Sequence, residues 1–363
     1  MKKQNSNNIT SRQLMNFLLS AQVGVELLET PNILAEKTGH DGWIPIIIVG
    51  ILIAIAMIFI ILLLERYNNS SIYDINKHLY GKYLGGFLNI IVSLYLWAIT
   101  CLQLRLFTEL LKITYLRFTP PIVLDIFIIL PTIYLSWYGL KAIARFSFIM
   151  WFFILITYIL LLLSIRFCDV KLLMPVGQSG FLGVLKGLED CYYAYLGFEL
   201  IVILYPSITD KEKTMKYSLI AHGIGSIFFL SVTLVCTAFF GEKHLARIVF
   251  PLIRLSRAYD DPIVQRIDLL YIAAWIPVMT MSVSSYFFPA YCRVQKLFKR
   301  EKKTVSLIIF TAITILISRI PRNHHEIYRY TQIMTIWGVV FVVFIMLCYI
   351  FSFVSKKGVK TSE

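Results

Sequence analysis

Two stretches of the chain set a glycine and a glutamate two residues apart inside otherwise apolar sequence. The first runs Ser20-Ala21-Gln22-Val23-Gly24-Val25-Glu26-Leu27-Leu28-Glu29-Thr30-Pro31, and the second runs Tyr193-Ala194-Tyr195-Leu196-Gly197-Phe198-Glu199 and on to Pro206. Glycine weakens a helix by about 1 kcal/mol relative to alanine, and proline removes a backbone donor and clashes with the preceding turn. Both stretches are therefore expected to be helices interrupted near their middles. Interrupted backbone at membrane depth is tolerated only where protein or a wet cavity satisfies its N–H and C=O groups. A zwitterion supplies such partners: its carboxylate takes the N–H groups at a half-helix N-terminus and its ammonium takes exposed carbonyls. Gly24, Val25, Glu26, Leu196, Gly197, Phe198 and Glu199 are thus candidate ligand-binding residues. Carboxylates inside a membrane are costly and face a cavity or a partner. Glu26 and Glu199 carry two open readings, as groups for a ligand or a proton and as structural caps on freed amides.

The elements that must position these residues follow from composition. Of 363 residues, 58% are hydrophobic and 15% charged, against about 25% charged in soluble domains; mean hydropathy is +0.73. That much apolar side chain needs a bilayer as its solvent. The formal charge of +14 sits between apolar runs, where it orients helices, so nucleic acid is not an expected partner. Ten stretches approach the roughly 20 residues that cross hydrocarbon: 13–36, 43–64, 84–111, 121–140, 143–167, 188–207, 215–241, 263–292, 304–320 and 328–354. The expected fold is an all-α integral membrane protein of ten transmembrane helices, the first and sixth broken. Gly24 and Gly197 lie about half the chain apart and each opens a five-helix half, the two running in opposite directions. This predicts a five-plus-five inverted repeat, repeat one over 13–167 and repeat two over 188–354, with a small-solute site at the bilayer midplane. In 243–261, Leu245, Ile248, Leu252 and Leu255 recur at helical spacing among Lys243, Arg247, Arg254 and Arg257, which predicts an amphipathic helix over the outer surface or at the interface.

With the N-terminus inside, the inner connections and tails hold 20 of the 35 Lys and Arg, so the tails 1–12 and 355–363 are both expected to be cytoplasmic. Met1 to Arg12 are polar and no small-residue cleavage site follows, so no cleavable signal peptide is expected. Segments three and eight would flank the breaks. The former offers Tyr95, Trp97, Ile99 and Thr100 around its midpoint, the latter Thr280, Ser282, Ser284 and Ser285. Such a Ser/Thr cluster reads as a helix-packing surface or as a pocket lining. Arg105 and Glu109 are spaced for an i,i+4 pair, while Asp125 stands alone and is expected to reach the headgroups. Tyr67, Trp43, Trp137 and Tyr138 read as interface anchors. The six cysteines and six histidines show no metal-ligand spacing, and no nucleophile elbow or phosphate loop is present. Neither catalysis nor a metal or cofactor is expected.

Three stretches carry a family resemblance: Ile9-Thr10-x-x-Gln13 with Gly24, Pro31 and Asp41-Gly42-Trp43; Tyr195-Leu196-Gly197-Phe198-Glu199; and Phe250-Pro251 with Arg257, then Arg266-x-Asp268 leading to Trp275. In order and spacing the chain resembles the B subunits of spore germinant receptors, a branch of the amino acid–polyamine–organocation transporter superfamily. The resemblance implies a LeuT-like fold in the spore inner membrane and a nutrient germinant such as an amino acid. It also implies a receptor A subunit and a lipoprotein C subunit as partners. Carried over by position, the pocket takes Gly24, Leu196 and Gly197, with helix three near Ile99–Thr100 and helix eight near Thr280–Ser284. An amino acid permease working by alternating access, with ion coupling open, is the competing function.

Overall fold

A computed structural model describes residues 8–67, 70–257, 266–296 and 303–354. Lys2 and Lys3 of the N-terminal tail, Lys299, Arg300 and Lys302 of the basic inner connection, the ends of the 243–261 and 263–292 stretches, and the tail 355–363 lie outside the described residues. The first span is two helices, α1 (Ser11–Gln22) and α2 (Glu26–Thr38). Thr10 and Gln13 cap the start of α1 reciprocally, a local arrangement that satisfies two orphan donors. α3 (Trp43–Arg66), α4 (Ile72–Thr114), α5 (Pro121–Tyr138) and α6 (Leu140–Ser164) complete the first half. α4 bends at Gly81, where φ is 77°, so its long apolar part begins after a short leading helix. The sixth span is α7 (Gly180–Ala194), a 3-10 turn over Phe198–Leu200, and α8 (Ile201–Leu204). After it come α9 (Thr214–Phe240), α10 (Glu242–Leu245), α11 (Pro251–Ser256), α12 (Ile267–Gln295), α13 (Lys303–Ser318) and α14 (His324–Val354).

Among the described residues, seven helical segments are long and apolar enough to cross a bilayer. The remaining spans escape that measure for physical reasons. Helices one and six are split, and α13 has only 16 residues. The packing repeats when spans one to five are exchanged for six to ten. α1 packs on α9 as α7 packs on α3, α6 on α12 as α14 on α4, and α1 on α6 as α7 on α14. The pairs α4–α12, α3–α9 and α5–α13 map onto themselves. The start of the first span meets the end of the sixth: the Ile9 N–H donates to Ser207 O (2.9 Å) and the Thr209 N–H to Ile9 O (3.0 Å). The two broken helices therefore run antiparallel with their interruptions level. This is the inverted five-plus-five fold.

Two expectations change. Over its described part, 243–257, the stretch 243–261 is not one surface helix but two short ones, and Leu245, Ile248, Leu252 and Leu255 are buried where α10 and α11 pack on α2, α9 and α12. Its apolar stripe faces protein, because Phe250-Pro251 interrupts the helix and turns the chain inward. Asp125 is not alone either. It is wholly buried and accepts from Thr108 Oγ1 (2.5 Å) and Arg319 Nη1 (3.3 Å). Arg105 and Glu109 do pair, at 3.0 Å. Trp137 and Tyr138 are exposed, whereas Tyr67 is buried, edge-on to His78. The Arg257 and Arg266 guanidinium groups both reach the Asp268 carboxylate, at 3.1 and 3.3 Å. Asp41 accepts from the Gly177 and Ser179 amides and the Ser179 hydroxyl, at 2.8 to 2.9 Å. These motif carboxylates pin connections at one end of the bundle.

Candidate functional site

α1 closes at Gln22, and the Val23 N–H still reaches Leu19 O at 2.9 Å. α2 starts at Glu26, and Val25 before it offers no side-chain cap. The first N–H groups of α2 thus face the interruption with no preceding turn to accept them. Gln103 on α4 donates through Nε2 to Glu26 Oε1 (3.3 Å) and to Ser282 Oγ on α12 (3.0 Å). The Ser282 hydroxyl in turn donates to Ala21 O (3.1 Å), so a carbonyl freed at the end of α1 is held by two flanking helices. A Cβ on Gly24 would run into the Glu26 carboxylate and come within 2.9 Å of Ser282 Oγ. Glycine is what lets that carboxylate fold back over the break. Three buried oxygens here have no partner: Glu26 Oε2, Glu29 Oε1 and Gln103 Oε1. The Tyr193 hydroxyl lies beside Glu26 without hydrogen-bond geometry.

The sixth span is satisfied differently. Gly197 has φ 122°, and a Cβ there would sit 3.0 Å from Gln22 N and 3.1 Å from the Ala21 carbonyl carbon. The two interrupted backbones touch at this glycine. Glu199 turns back so that Oε2 accepts the Gly197 N–H (2.9 Å), while Oε1 accepts the hydroxyls of Tyr286 (2.5 Å) and Tyr95 (3.3 Å). Gln22 Nε2 donates to Tyr195 O (3.1 Å) and lies 3.4 Å from His222 Nδ1. With its proton on Nε2, His222 donates to Gly50 O at 2.8 Å and leaves Nδ1 to accept from Gln22. The His222 ring of this relay is buried, and so is the Tyr195 ring that lies against it at 5.3 Å.

The candidate residues therefore divide. Gly24, Val25, Glu26, Leu196, Gly197, Phe198 and Glu199 are buried at or beside the touching breaks. Ile99 lies between Tyr95 and Gln103 on one stripe of α4, at i and i+4 spacing. Thr100 turns back on Leu96 O (2.9 Å). Thr280 bonds Ile276 O (3.0 Å), and Ser284 reaches Thr132 on α5 (3.1 Å), away from the breaks. The hydroxyl of α12 that meets the first break is Ser282. Sequence reasoning missed Gln103, Tyr286, Gln22 and His222. The stripes Tyr95-Ile99-Gln103 and Ser282-Tyr286 carried the signal: a polar group one turn from each residue already singled out.

A cleft of about 370 Å³ opens between α2, α4 and α14, with Glu29, Asn32, Glu36, Leu106, Tyr328 and Thr331 among its lining. Glu29 is one turn of α2 beyond Glu26. At the opposite end a cleft of about 330 Å³ is lined by Tyr73, Leu204, Pro206 and Pro289 among others.

Residues 8–327 match the spore germination protein family. The chain belongs to that family. Similar relatives include spore germination protein GerQB of Bacillus cereus, 25% identical over 304 residues, 83% of each chain. Spore germination protein B2 of Bacillus subtilis (strain 168) is 22% identical over 358 residues, 97% of this chain and 96% of that one. Among solved structures, MhsT in complex with L-phenylalanine superposes with a TM-score of 0.63 at 14% identity, covering 90% of this chain and 87% of that one. A Na+-coupled sialic acid symporter also gives 0.63 at 14% identity, over 96% and 79%. The chain is thus a multi-pass membrane protein that shares its fold with these two structures.

Proposed function

We propose that the chain is the germinant-sensing subunit of a spore germination receptor and binds a small amino acid where spans one and six are broken. The observation that carries this is the set of unpartnered buried oxygens on Glu26, Glu29 and Gln103, of which Glu29 also lines a cleft. A buried acceptor without a donor costs about 1–3 kcal/mol. An ammonium group is the donor that answers three acceptors at once, and the uncapped N-terminus of α2 answers its carboxylate. Gly24, Val25, Glu26, Ile99, Leu196, Gly197 and Phe198 surround that position, with Gln103 and Ser282 added. Glu199 holds the backbone from behind, and Thr100, Thr280 and Ser284 support the helices.

In this reading the protein sits in the inner membrane of the spore with both termini cytoplasmic. It signals through a receptor A subunit and a lipoprotein C subunit, and the cleft beside Glu29 faces outward. A second reading, an amino acid permease working by alternating access, draws on the clefts at both ends of the bundle. A thermal-shift screen of the twenty amino acids against the purified chain tests the site. At least one should raise the midpoint in wild type and not in Glu29→Gln; no response to any of them sinks the proposal. Uptake of the labelled ligand into vesicles holding this chain alone separates the readings, since accumulation would favour the permease.

A further inference from the structure

Beside the ligand cleft, at the same end of the bundle, lies a larger one of about 670 Å³. It is bounded by the C-terminal turns of α4, the N-terminus of α5 and the turn joining α13 to α14. Arg105, Lys112, Arg117, Arg319 and Arg322 line it against a single carboxylate, Glu109. Two of these cations are committed to the frame. Arg105, 6% exposed, donates through Nε to Pro321 O (2.8 Å) and through Nη2 to Arg322 O (3.3 Å). Its Nη1 stands 3.0 Å from Glu109 outside hydrogen-bond geometry. Arg319 pairs with the buried Asp125. Lys112, Arg117 and Arg322 complete the lining nearer solvent. Pro121, the first residue of the 18-residue α5, also lines the cleft, and α5 has no side-chain cap. The positive end of that helix therefore adds to the field of the guanidinium groups. Five cations and a helix N-terminus stand against two carboxylates, Glu109 in the lining and Asp125 behind Arg319, and the positive excess favours entry of an anion.

We infer that this cleft binds a phosphate-bearing anion. Lys112, Arg117 and Arg322 contact its oxygens, over a floor fixed by Arg105 and Arg319. A phosphate offers several charged acceptors in one compact group, which suits planar guanidinium forks and a helix N-terminus together. The same chemistry reaches the site from a phospholipid headgroup or from free phosphate. The rim suits the former: Ile113, Leu116 and Phe118 are exposed, Phe118 almost completely. Arg105 holds the carbonyls of the turn that continues into His324 and His325, which line the neighbouring cleft. Occupancy would therefore set the position of a wall shared by the two clefts. The binding itself does not depend on the ligand proposed for the other site.

The test uses the full chain, in detergent with inorganic phosphate and in phosphatidylcholine vesicles with or without phosphatidylglycerol, reading the thermal midpoint. A rise with either source supports the site. A rise with inorganic phosphate assigns a soluble occupant, and a rise confined to phosphatidylglycerol assigns a headgroup. Lys112→Gln/Arg117→Gln should weaken the response about tenfold, whereas Lys213→Gln/Lys216→Gln, an equal charge change at the opposite end, should leave it intact. Lys112→Arg/Arg117→Lys should restore it. Should the first pair fail to fold, Arg322→Gln carries the same expectation. No response in wild type to either source, or equal losses in the two charge-neutralised pairs, overturns the inference.

Discussion

The two broken spans share Gly-x-Glu, yet their glutamates do opposite work. In the sixth span Glu199 is saturated: one amide and two tyrosine hydroxyls donate to it, and each of those donors would otherwise be buried unpaired. In the first span Glu26 takes one amide bond from Gln103 and leaves Oε2 without a partner, as Glu29 leaves Oε1. One carboxylate is fully used by the protein, and the other pair, in the function proposed above, takes the ligand. A repeated sequence pattern therefore marks where the chain is interrupted, while the neighbouring helices decide whether the glutamate at the interruption is fully partnered, as Glu199 is, or left with an open oxygen, as Glu26 is.

That contrast breaks most visibly at Gly197. An alanine there must adopt φ 122° and press its Cβ into Ala21 and Gln22, so Gly197→Ala should cost about 3 kcal/mol or more, read as a lower thermal midpoint. Glu199→Gln should come next. Its amide nitrogen would meet donors rather than acceptors, for a loss of about 2 kcal/mol in the same measurement. Glu26→Gln should separate the two spans. Glu26 and Glu29 are buried carboxyl groups one turn apart, each with an unpartnered oxygen, so replacing one by an amide should hold or raise the midpoint while ligand affinity falls about tenfold or more. Should Glu26→Gln unfold the protein and Glu199→Gln abolish only the response to ligand, the two roles would have to be exchanged.

Much of the fold was legible because bilayer physics is blunt. Ten apolar stretches, two of them spoiled by glycine and proline, imply interrupted helices, and the half-chain separation of Gly24 and Gly197 implies the repeat. The stretch 243–261 misled because its period of apolar residues reads the same whether they face lipid or protein, and only the proline at 251 hinted at a turn inward. Asp125 misled for a related reason: its partners Thr108 and Arg319 lie 17 and 194 residues away, beyond any local pattern. At the candidate site, the placement of the glycines and glutamates at the two breaks was legible from type and spacing. The unequal satisfaction of the two glutamates was not, since it depends on tyrosines and glutamines brought in by α4 and α12.

The smallest effect tests how far α12 takes part. Four of its hydroxyls, on Thr280, Ser282, Ser284 and Ser285, lie within about one turn and a half, and Ser282 and Ser284 have different duties. Ser282 Oγ accepts from Gln103 and donates to Ala21 O, whereas Ser284 bonds its own helix and Thr132. Ser284→Ala removes one interhelical hydrogen bond and should lower stability by about 0.6 kcal/mol, with ligand response unchanged. Ser282→Ala should cost a similar amount of stability, but it frees Gln103 to turn and loosens its hold on Glu26, so ligand affinity should fall as well. Paired midpoint and binding titrations on the two variants decide the matter. Equal binding losses would place α12 at the ligand along its whole polar stripe. Loss in Ser282→Ala alone confines its contribution to the residue that holds the first break open.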